Sequence, residues 1–337
     1  METDVASGRT TGPGPICDAG AMTQQMDGGH VGIVGVGHVG MASAAALFHA
    51  SMVSRLTLVD LDERRAEGEA MDLMHGQALV GACDVRAGGV EQLAGAAVVV
   101  LCAGVSQQPG ETRIDLLARN AEVFRSVADG LDEHASEAVV LIATNPVDIM
   151  SRIFADLSAR PRERIIGTGT TLDSARLRAL LGRRYRVDPQ SVHGYVLGEH
   201  GDTEMVPWSL VSIGGTTIRD RSVLGVSWDE AAMGALAEEV RTAAYEIVAR
   251  KGWTNWAIGS VIRELVAAIL RDERTVAPVS VPFTGEYGIT GPWLSLPARI
   301  GRSGIDGVIA PPLEPDEEDA LRASATALDE VHAALDA

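Results

Sequence analysis

The sequence of 337 residues contains few cysteines and no long apolar run. Its three cysteines (Cys17, Cys83 and Cys102) are odd in number and lack metal-type spacing, which predicts free thiols in a reducing cytoplasm and no metal site. No apolar run reaches the roughly 18 residues that a membrane-spanning helix needs. Residues 1–29 lack the basic start and apolar core of a secretory signal. We therefore expect a flexible N-terminal extension, an arm on a neighbouring subunit, or a late start at Met22.

Basic residues are also scarce. Lysine and arginine total 28 against 46 aspartates and glutamates, and Lys251 is the only lysine. The net charge of −18 would repel phosphates, which argues against nucleic-acid binding. An apolar fraction of 46% with 22% charged residues instead indicates an ordered protein with a well-buried core. The length allows two domains or one large α/β unit.

Short apolar runs alternate with helical segments over the first half of the chain. The runs are 30–34, 56–59, 97–102 and 138–142, and the helical segments between the first three are 41–50 and 63–74. This alternation predicts an α/β fold with a Rossmann-type, doubly wound parallel sheet over residues 30–168. After about Thr168 the pattern changes to longer helices, at 229–249 and 256–270, and to Gly- and Pro-interrupted strands between 276 and 309. We therefore predict a mixed α+β substrate domain over residues 169–337.

A glycine-rich turn follows the first predicted strand. It reads Gly35-Val36-Gly37-His38-Val39-Gly40 and opens a helix, and Asp60 ends the next strand 20 residues later. Gly35 suits a tight turn, Gly37 lets the backbone approach a pyrophosphate, and Gly40 allows close helix–strand packing. The helix N-terminus favours the anion. Asp60 would accept hydrogen bonds from the ribose hydroxyls and would repel a 2′-phosphate. The motif therefore predicts NAD rather than NADP.

Three polar segments carry residues suited to chemistry: 107–113, 172–176 and 198–202. His200 lies between glycines and titrates in a range suited to reversible proton transfer. Asp173 is the candidate to hold its tautomer and stabilise the imidazolium. Arg176 shares a helix face with Asp173, and its guanidinium would clamp a carboxylate through two hydrogen bonds. These groups predict oxidation and reduction of a small 2-hydroxy acid.

Three stretches, Thr144-Asn145-Pro146-Val147-Asp148, Gly198-Glu199-His200-Gly201-Asp202 and Lys251 to Gly259, carry a resemblance. From about Val31 to the C-terminal helix the chain resembles the L-lactate/L-malate dehydrogenase family. The resemblance implies a dinucleotide domain followed by a substrate domain, usually in a tetramer. It also implies a cytoplasmic, NAD-dependent enzyme of glycolysis and fermentation.

The same resemblance implies roles for individual residues. His200 would be the acid/base, Asp173 its partner and Arg176 the carboxylate anchor, while Arg113 would polarise the carbonyl from a loop that closes over substrate. The remaining predicted substrate contacts are Gln107, Asn145 and Thr254. The predicted cofactor contacts are Gly35, Gly37, His38, Val39, Gly40, Asp60, Ala103, Gly104, Asn120, Thr144 and Asn145.

Gln107 bears on which acid is the substrate. In this family the residue six positions before the loop arginine separates substrates, and an arginine there would pair with the second carboxylate of oxaloacetate. A neutral amide tolerates the methyl group of pyruvate and leaves a second carboxylate unpaired. We therefore expect pyruvate and L-lactate as substrates. Longer 2-hydroxy acids, malate, and a catalytically silent nucleotide-binding protein are the alternatives.

Two further residues suggest regulation. The resemblance places the fructose 1,6-bisphosphate-binding arginine of bacterial relatives at Arg178 and the accompanying histidine at His193. Two residues beyond Arg176 on a helix, Arg178 points to a different face from the substrate anchor. Across a symmetry axis, two copies of each residue would neutralise the phosphates of the activator.

Overall fold

The first half of the chain builds the parallel part of a large sheet. The computed structural model describes residues 29–105, 110 and 112–335; most of the N-terminal extension, Cys17 and Gln107 lie outside these residues. The elements of the first half are β1 (Gly29–Val34), α1 (His38–His49), β2 (Val53–Val59), α2 (Glu63–His75), α3 (Gln77–Val80), β3 (Asp84–Ala87), β4 (Val98–Leu101), α4 (Arg113–His134), β5 (Val139–Ile142), α5 (Val147–Leu157) and β6 (Ile165–Gly167).

The second half contains longer helices and antiparallel strands. Three short strands form a small sheet of their own in the order β7-β8-β9. Over the described part of the chain, no helix is both long and apolar enough to cross a membrane. The elements of this half are α6 (Thr171–Tyr185), β7 (Val192–His193), β8 (Ser212–Ile213), β9 (Thr216–Thr217), α7 (Glu230–Lys251), α8 (Trp256–Leu270), β10 (Thr275–Thr284), β11 (Thr290–Gly301), β12 (Gly304–Val308) and α9 (Pro315–Leu335).

The main sheet has nine strands in the order β12-β11-β10-β6-β5-β4-β1-β2-β3. The six strands from β6 to β3 pair in parallel, which confirms the predicted doubly wound sheet. Every residue of β4 and β5 is buried, as expected for strands covered on both faces. The chain reverses its direction of winding between β1 and β4, and ligands of such sheets bind in the crevice at this switch point.

The strands of the second half extend this same sheet, a continuity that was not predicted. Strand β10 pairs antiparallel with β6 through Ser280 and Gly167. A side chain at Gly167 would lie 2.7 Å from the Ser280 Cβ, so the junction depends on two small residues. The predicted boundary at residues 168 and 169 thus falls just after the strand at which the two halves join. The extent of each domain stays a prediction.

Two glycines let β1, β4 and α1 approach one another closely. Gly35 has φ +96°, and a Cβ there would lie 2.5 Å from the backbone nitrogen of Ala103. A Cβ on Gly40 would lie 1.9 Å from the carbonyl oxygen of Gly35. Both close contacts are with backbone atoms, which cannot rotate away. The turn therefore tolerates glycine alone at these two positions.

We expect Gly40→Ala to lower the free energy of unfolding by at least about 2 kcal/mol, because the new methyl group overlaps a carbonyl oxygen. Thermal or urea denaturation checks this. The matched control is Gly68→Ala, in the exposed interior of α2, where a Cβ meets no atom within 4 Å. The control should be neutral or slightly stabilising. Equal stability of the two variants would contradict the proposed close approach.

Candidate active site

Several predicted cofactor contacts meet where β4 and β5 end. The Thr144 hydroxyl, after β5, donates to the carbonyl of Ala103, after β4, at 2.7 Å. The Asn120 side-chain oxygen, from α4, accepts the backbone N–H of Val105 at 2.9 Å. Around Gly104 the packing is tight, since a Cβ there would lie 3.0 Å from the Thr144 methyl group. This edge of the sheet is therefore a rigid wall beside the glycine turn.

The N-terminus of α1 suits an anion. Its cap residue Gly37 has no side chain to accept from the helix, and the first turn, His38 to Gly40, carries no acidic residue. The amides of a first helical turn have no intrahelical acceptor. A Cβ added to Gly37 would meet no atom within 4 Å. The space beside its backbone is therefore open to a ligand. The site therefore fits the pyrophosphate of a dinucleotide.

Asp60 comes directly after β2, beside the glycine turn. One carboxylate oxygen accepts the backbone N–H of Val36 at 2.7 Å, and the other accepts that of Asp62 at 3.0 Å. Both hydrogen bonds hold the carboxylate at the rim of the crevice. Each oxygen keeps a second lone pair for a hydroxyl group. Contact with the adenosine ribose stays a prediction.

His200, Asp173 and Arg176 form one hydrogen-bonded group. Asp173, in the first turn of α6, accepts from His200 Nδ1 at 2.5 Å through Oδ2 and from an Arg176 Nη at 2.7 Å through Oδ1. The Asp173 side chain is only 2% exposed, against 22% for His200 and 16% for Arg176. A buried carboxylate thus joins two partly accessible groups. Among the described residues none hydrogen-bonds the Nε2 atom of His200, which can therefore bind a ligand.

The loop that carries His200 is fixed by backbone contacts with three elements. Gly198, at φ +89°, exchanges two backbone hydrogen bonds with Ser295 of β11. The backbone N–H of Glu199 donates to the Ser324 hydroxyl of α9 at 2.8 Å, and that of His200 donates to Asp148 of α5 at 2.7 Å. The imidazole position is therefore set by strands and helices on both sides of the loop.

Charge keeps the imidazole protonated. Burial alone would lower the pKa of His200, but the charge and hydrogen bond of Asp173, aided by Asp148 and Glu204, raise it to about 9. Burial alone would raise the pKa of Asp173, but His200, followed by Arg176, holds it below its usual range. At neutral pH the pair is therefore an imidazolium beside a carboxylate, ready to donate a proton.

Two acids at this site were not anticipated as functional. Asp148 is 2% exposed and Glu204 is 6% exposed, and both face the His200 group. Burial raises the pKa of Asp148 to about 6, although the neighbouring Ser280 hydroxyl and the hydrogen bond from the His200 backbone oppose it. Asp148 belongs to the stretch 144–148 noted in the sequence. Nothing in the sequence signals its contact with a loop 52 positions away.

Arg176 and Thr254 line one cavity, of about 660 Å³, between α6, α7 and the start of α8. His200 does not line this cavity. Beside Thr254, Trp253 stacks face to face on His38 of the glycine turn, with ring centroids 4.1 Å apart and planes 3° apart. The stack connects the segment that carries Thr254, at the edge of the cavity, to the start of α1. The predicted role of Thr254 in substrate binding stays a prediction.

The other predicted site residues are more scattered. Arg113 is the first residue of α4, which Thr112 caps, and most of the loop before it lies outside the described residues, as does Gln107. Asn145 is exposed after β5. His193 is exposed, whereas Arg178 is half-buried and donates to the carbonyls of Pro189 and Gln190. Their roles stay predictions.

Comparisons with known proteins agree with this geometry. Residues 29–167 match the lactate/malate dehydrogenase, NAD binding domain, and residues 170–335 match the lactate/malate dehydrogenase, alpha/beta C-terminal domain. An L-lactate dehydrogenase of Salinibacter ruber is 53% identical over 306 residues, which cover 90% of this chain and 97% of the relative. One from Synechococcus is 44% identical over 299 residues, 89% of this chain and 97% of the relative.

Solved structures match as well. The crystal structure of a lactate dehydrogenase from a Medee basin deep-sea metagenome library has a TM-score of 0.89 at 37% identity, covering 93% of this chain and all of that one. The minor L-lactate dehydrogenase of Enterococcus mundtii has a TM-score of 0.88 at 36% identity, covering 92% of this chain and 99% of that one.

The switch-point crevice, the anion-binding helix start and the paired imidazole define an NAD-dependent oxidoreductase. The matches over both halves give the relationship: the chain belongs to the lactate/malate dehydrogenase family.

We expect Asp148→Asn to raise stability at pH 8. The folded protein holds this proton to about pH 6, whereas the unfolded chain releases it near pH 4, so the acid lowers stability as pH rises between these values. The amide oxygen still accepts from the His200 backbone. Urea unfolding should show a gain of up to about 3 kcal/mol at pH 8 and none below pH 4. A loss at pH 8 would contradict the assignment.

Proposed function

We propose that the chain catalyses the reversible reduction of pyruvate to L-lactate with NADH. The observation that carries the proposal is the position of Asp173, whose two oxygens bind His200 and Arg176 at once. His200, the proton donor, and Arg176, the carboxylate anchor, are thus held by one buried carboxylate. A small 2-keto acid has its carbonyl next to its carboxylate, and so presents the two groups that such a site binds.

His200 acts as the acid in reduction. Its Nε2–H donates to the carbonyl oxygen of pyruvate, and the proton moves to that oxygen as the carbonyl carbon is reduced. Asp173 stabilises the imidazolium before the transfer and holds the tautomer in which Nδ1 keeps its hydrogen. In lactate oxidation the neutral ring takes the hydroxyl proton back.

Arg176 positions the substrate. Asp173 engages one donor of its guanidinium, and no other described residue accepts from it, so the remaining donors can bind the substrate carboxylate. Arg113, at the start of α4, would place a second positive charge beside the carbonyl oxygen, where negative charge develops. Asn145 and Thr254 complete the pocket in this proposal.

The dinucleotide, when bound, supplies the hydride to the carbonyl carbon. The glycine turn and the amides from His38 to Gly40 would hold its pyrophosphate. The walls would be Ala103, Gly104, Asn120 and Thr144. Asp60 at the rim carries a negative charge close to where the ribose lies, which favours NAD over its 2′-phosphorylated form.

The specificity experiment is a panel of pyruvate, oxaloacetate and 2-ketoisocaproate, followed by loss of NADH absorbance, for the parent and for Gln107→Arg. We expect the parent to prefer pyruvate. The variant should shift kcat/KM towards oxaloacetate by at least about tenfold, since the guanidinium adds a bidentate partner for the second carboxylate.

His200→Ala, which should bind NADH without turnover, is the control for the same panel. No turnover by the parent with any of the three acids would contradict the proposed function. An unchanged ratio of kcat/KM in Gln107→Arg would mean that Gln107 does not face the substrate. A parent preference for 2-ketoisocaproate would assign the enzyme to longer 2-hydroxy acids.

We further propose that the enzyme is a cytoplasmic homotetramer of fermentative glycolysis, activated by fructose 1,6-bisphosphate. The activator would bind between subunits at Arg178 and His193. Support comes from the exposure of His193 and from the position of the half-buried Arg178 on α6, the helix that carries Asp173 and Arg176. An activator at this helix would favour the active assembly by its differential affinity.

The activator is tested by pyruvate saturation curves with and without millimolar fructose 1,6-bisphosphate, at neutral and mildly alkaline pH. We expect the activator to lower the KM for pyruvate in the parent and to have little effect in Arg178→Gln, whose charge is lost. Activity without the activator should be similar in both proteins. Identical curves for the parent under all conditions would contradict the regulatory proposal.

A further inference from the structure

A third carboxyl group, that of Glu204, lies against the pair formed by His200 and Asp173. One side-chain oxygen or nitrogen of each residue lies within 4.8 Å of those of the other two. Glu204 is 6% exposed. Its carboxyl group makes no hydrogen bond within the described ranges 29–105, 110 and 112–335. Both Asp173 oxygens are engaged by His200 and Arg176, and Glu204 lies beside this group as an additional acid.

The charges around Glu204 come from three directions. Asp173 and Arg176 face it from α6, His200 from its loop, and Arg241 from α7, where the guanidinium also donates to the Glu204 backbone carbonyl at 3.4 Å. Burial, followed by the negative charge of Asp173, raises the pKa of Glu204 to about 8, while the three positive groups oppose this. The carboxyl group is therefore largely protonated at neutral pH and ionises below the pKa of His200, about 9.

This order of ionisation has a consequence for His200. When Glu204 loses its proton, a new negative charge appears within 4.8 Å of the imidazole–carboxylate pair. An opposite charge at this distance favours the imidazolium. His200 therefore stays protonated, and able to act as the acid in reduction, to a higher pH than the charge of Asp173 alone would give. Asp148, the other acid facing His200, ionises at lower pH and contributes a constant charge in this range.

We propose that Glu204 is a positioning residue that sets how tightly His200 holds its proton, and thereby the alkaline limit of keto-acid reduction. The proposal rests on the proposed function, in which His200 is the proton donor. Glu204 acts through charge on His200, and neither contact with substrate nor any covalent step is required of it.

The test is the pH profile of kcat/KM for pyruvate at saturating NADH in the parent, Glu204→Gln and Glu204→Asp. In Glu204→Gln the alkaline limb should move to lower pH by about one unit, giving an about tenfold loss near pH 10 and little change near pH 7. The acid limb of lactate oxidation should move by the same amount, because it reports the same imidazole. Glu204→Asp keeps the charge and should restore most of the parent profile.

The matched control is Glu317→Gln. Glu317 is a carboxylate of similar burial, 7% exposed, which accepts from Ser209 and from the Glu314 backbone and is not among the charges that face His200. The Glu317→Gln variant should be less stable than the parent, but neither the alkaline limb of pyruvate reduction nor the acid limb of lactate oxidation should move. A Glu204→Gln profile that coincides with the parent profile, or that drops equally at every pH, would overturn the proposal.

A second measurement covers the case in which Glu204→Gln does not fold. The parent enzyme, labelled with ¹³C at its glutamate carboxyl carbons, should show a glutamate that titrates above pH 7, and this signal should be missing from Glu204→Asp, which has no glutamate at this position. Absence of any such titration would overturn the proposal. Failure of the parent to turn over pyruvate would contradict the proposed function and leave this titration unaffected, so the two failures are distinguishable.

Discussion

The short hydrogen bond between Asp173 and His200 is the interaction on which the rest of the site depends. It buries a carboxylate that is 2% exposed, and such a charge is stable only because the imidazolium and the Arg176 guanidinium compensate it from two sides. The same compensation raises the pKa of His200. Catalytic protonation and substrate anchoring are therefore two consequences of one buried charge. Loss of either cationic partner would leave Asp173 under-compensated.

This group lies where the two halves of the chain join. Strands β10 and β11 extend the parallel sheet beyond β6, and Ser295 of β11 binds both the start of α6 and the loop before His200. The cofactor crevice is at the centre of the same sheet, at the switch between β1 and β4. Continuous hydrogen bonding therefore sets the distance from the crevice to the imidazole.

Much of this arrangement could be predicted because local rules determine it. The turn from Gly35 to Gly40 can be identified from the spacing of its glycines. His200, between Gly198 and Gly201, can be recognised as a loop residue. Other features depend on contacts distant in sequence. Asp148 meets His200 across 52 positions, and Glu204 gains its raised pKa only from burial among charges contributed by other elements. The joining of β10 to β6 was missed for a similar reason, since Gly- and Pro-interrupted strands do not specify their partners.

The central claim, that Asp173 keeps His200 protonated, is tested most directly by the pH dependence of oxamate binding. Oxamate mimics pyruvate and is not reduced, so the pH dependence of its affinity for the enzyme–NADH complex reports the protonation of His200 without a contribution from catalysis. In the parent the affinity should hold until about pH 9, the pKa of His200. In Asp173→Asn the affinity should fall at a pH lower by at least about one unit, because the compensating charge is lost. Identical pH dependence in a folded variant that still binds NADH would contradict the account.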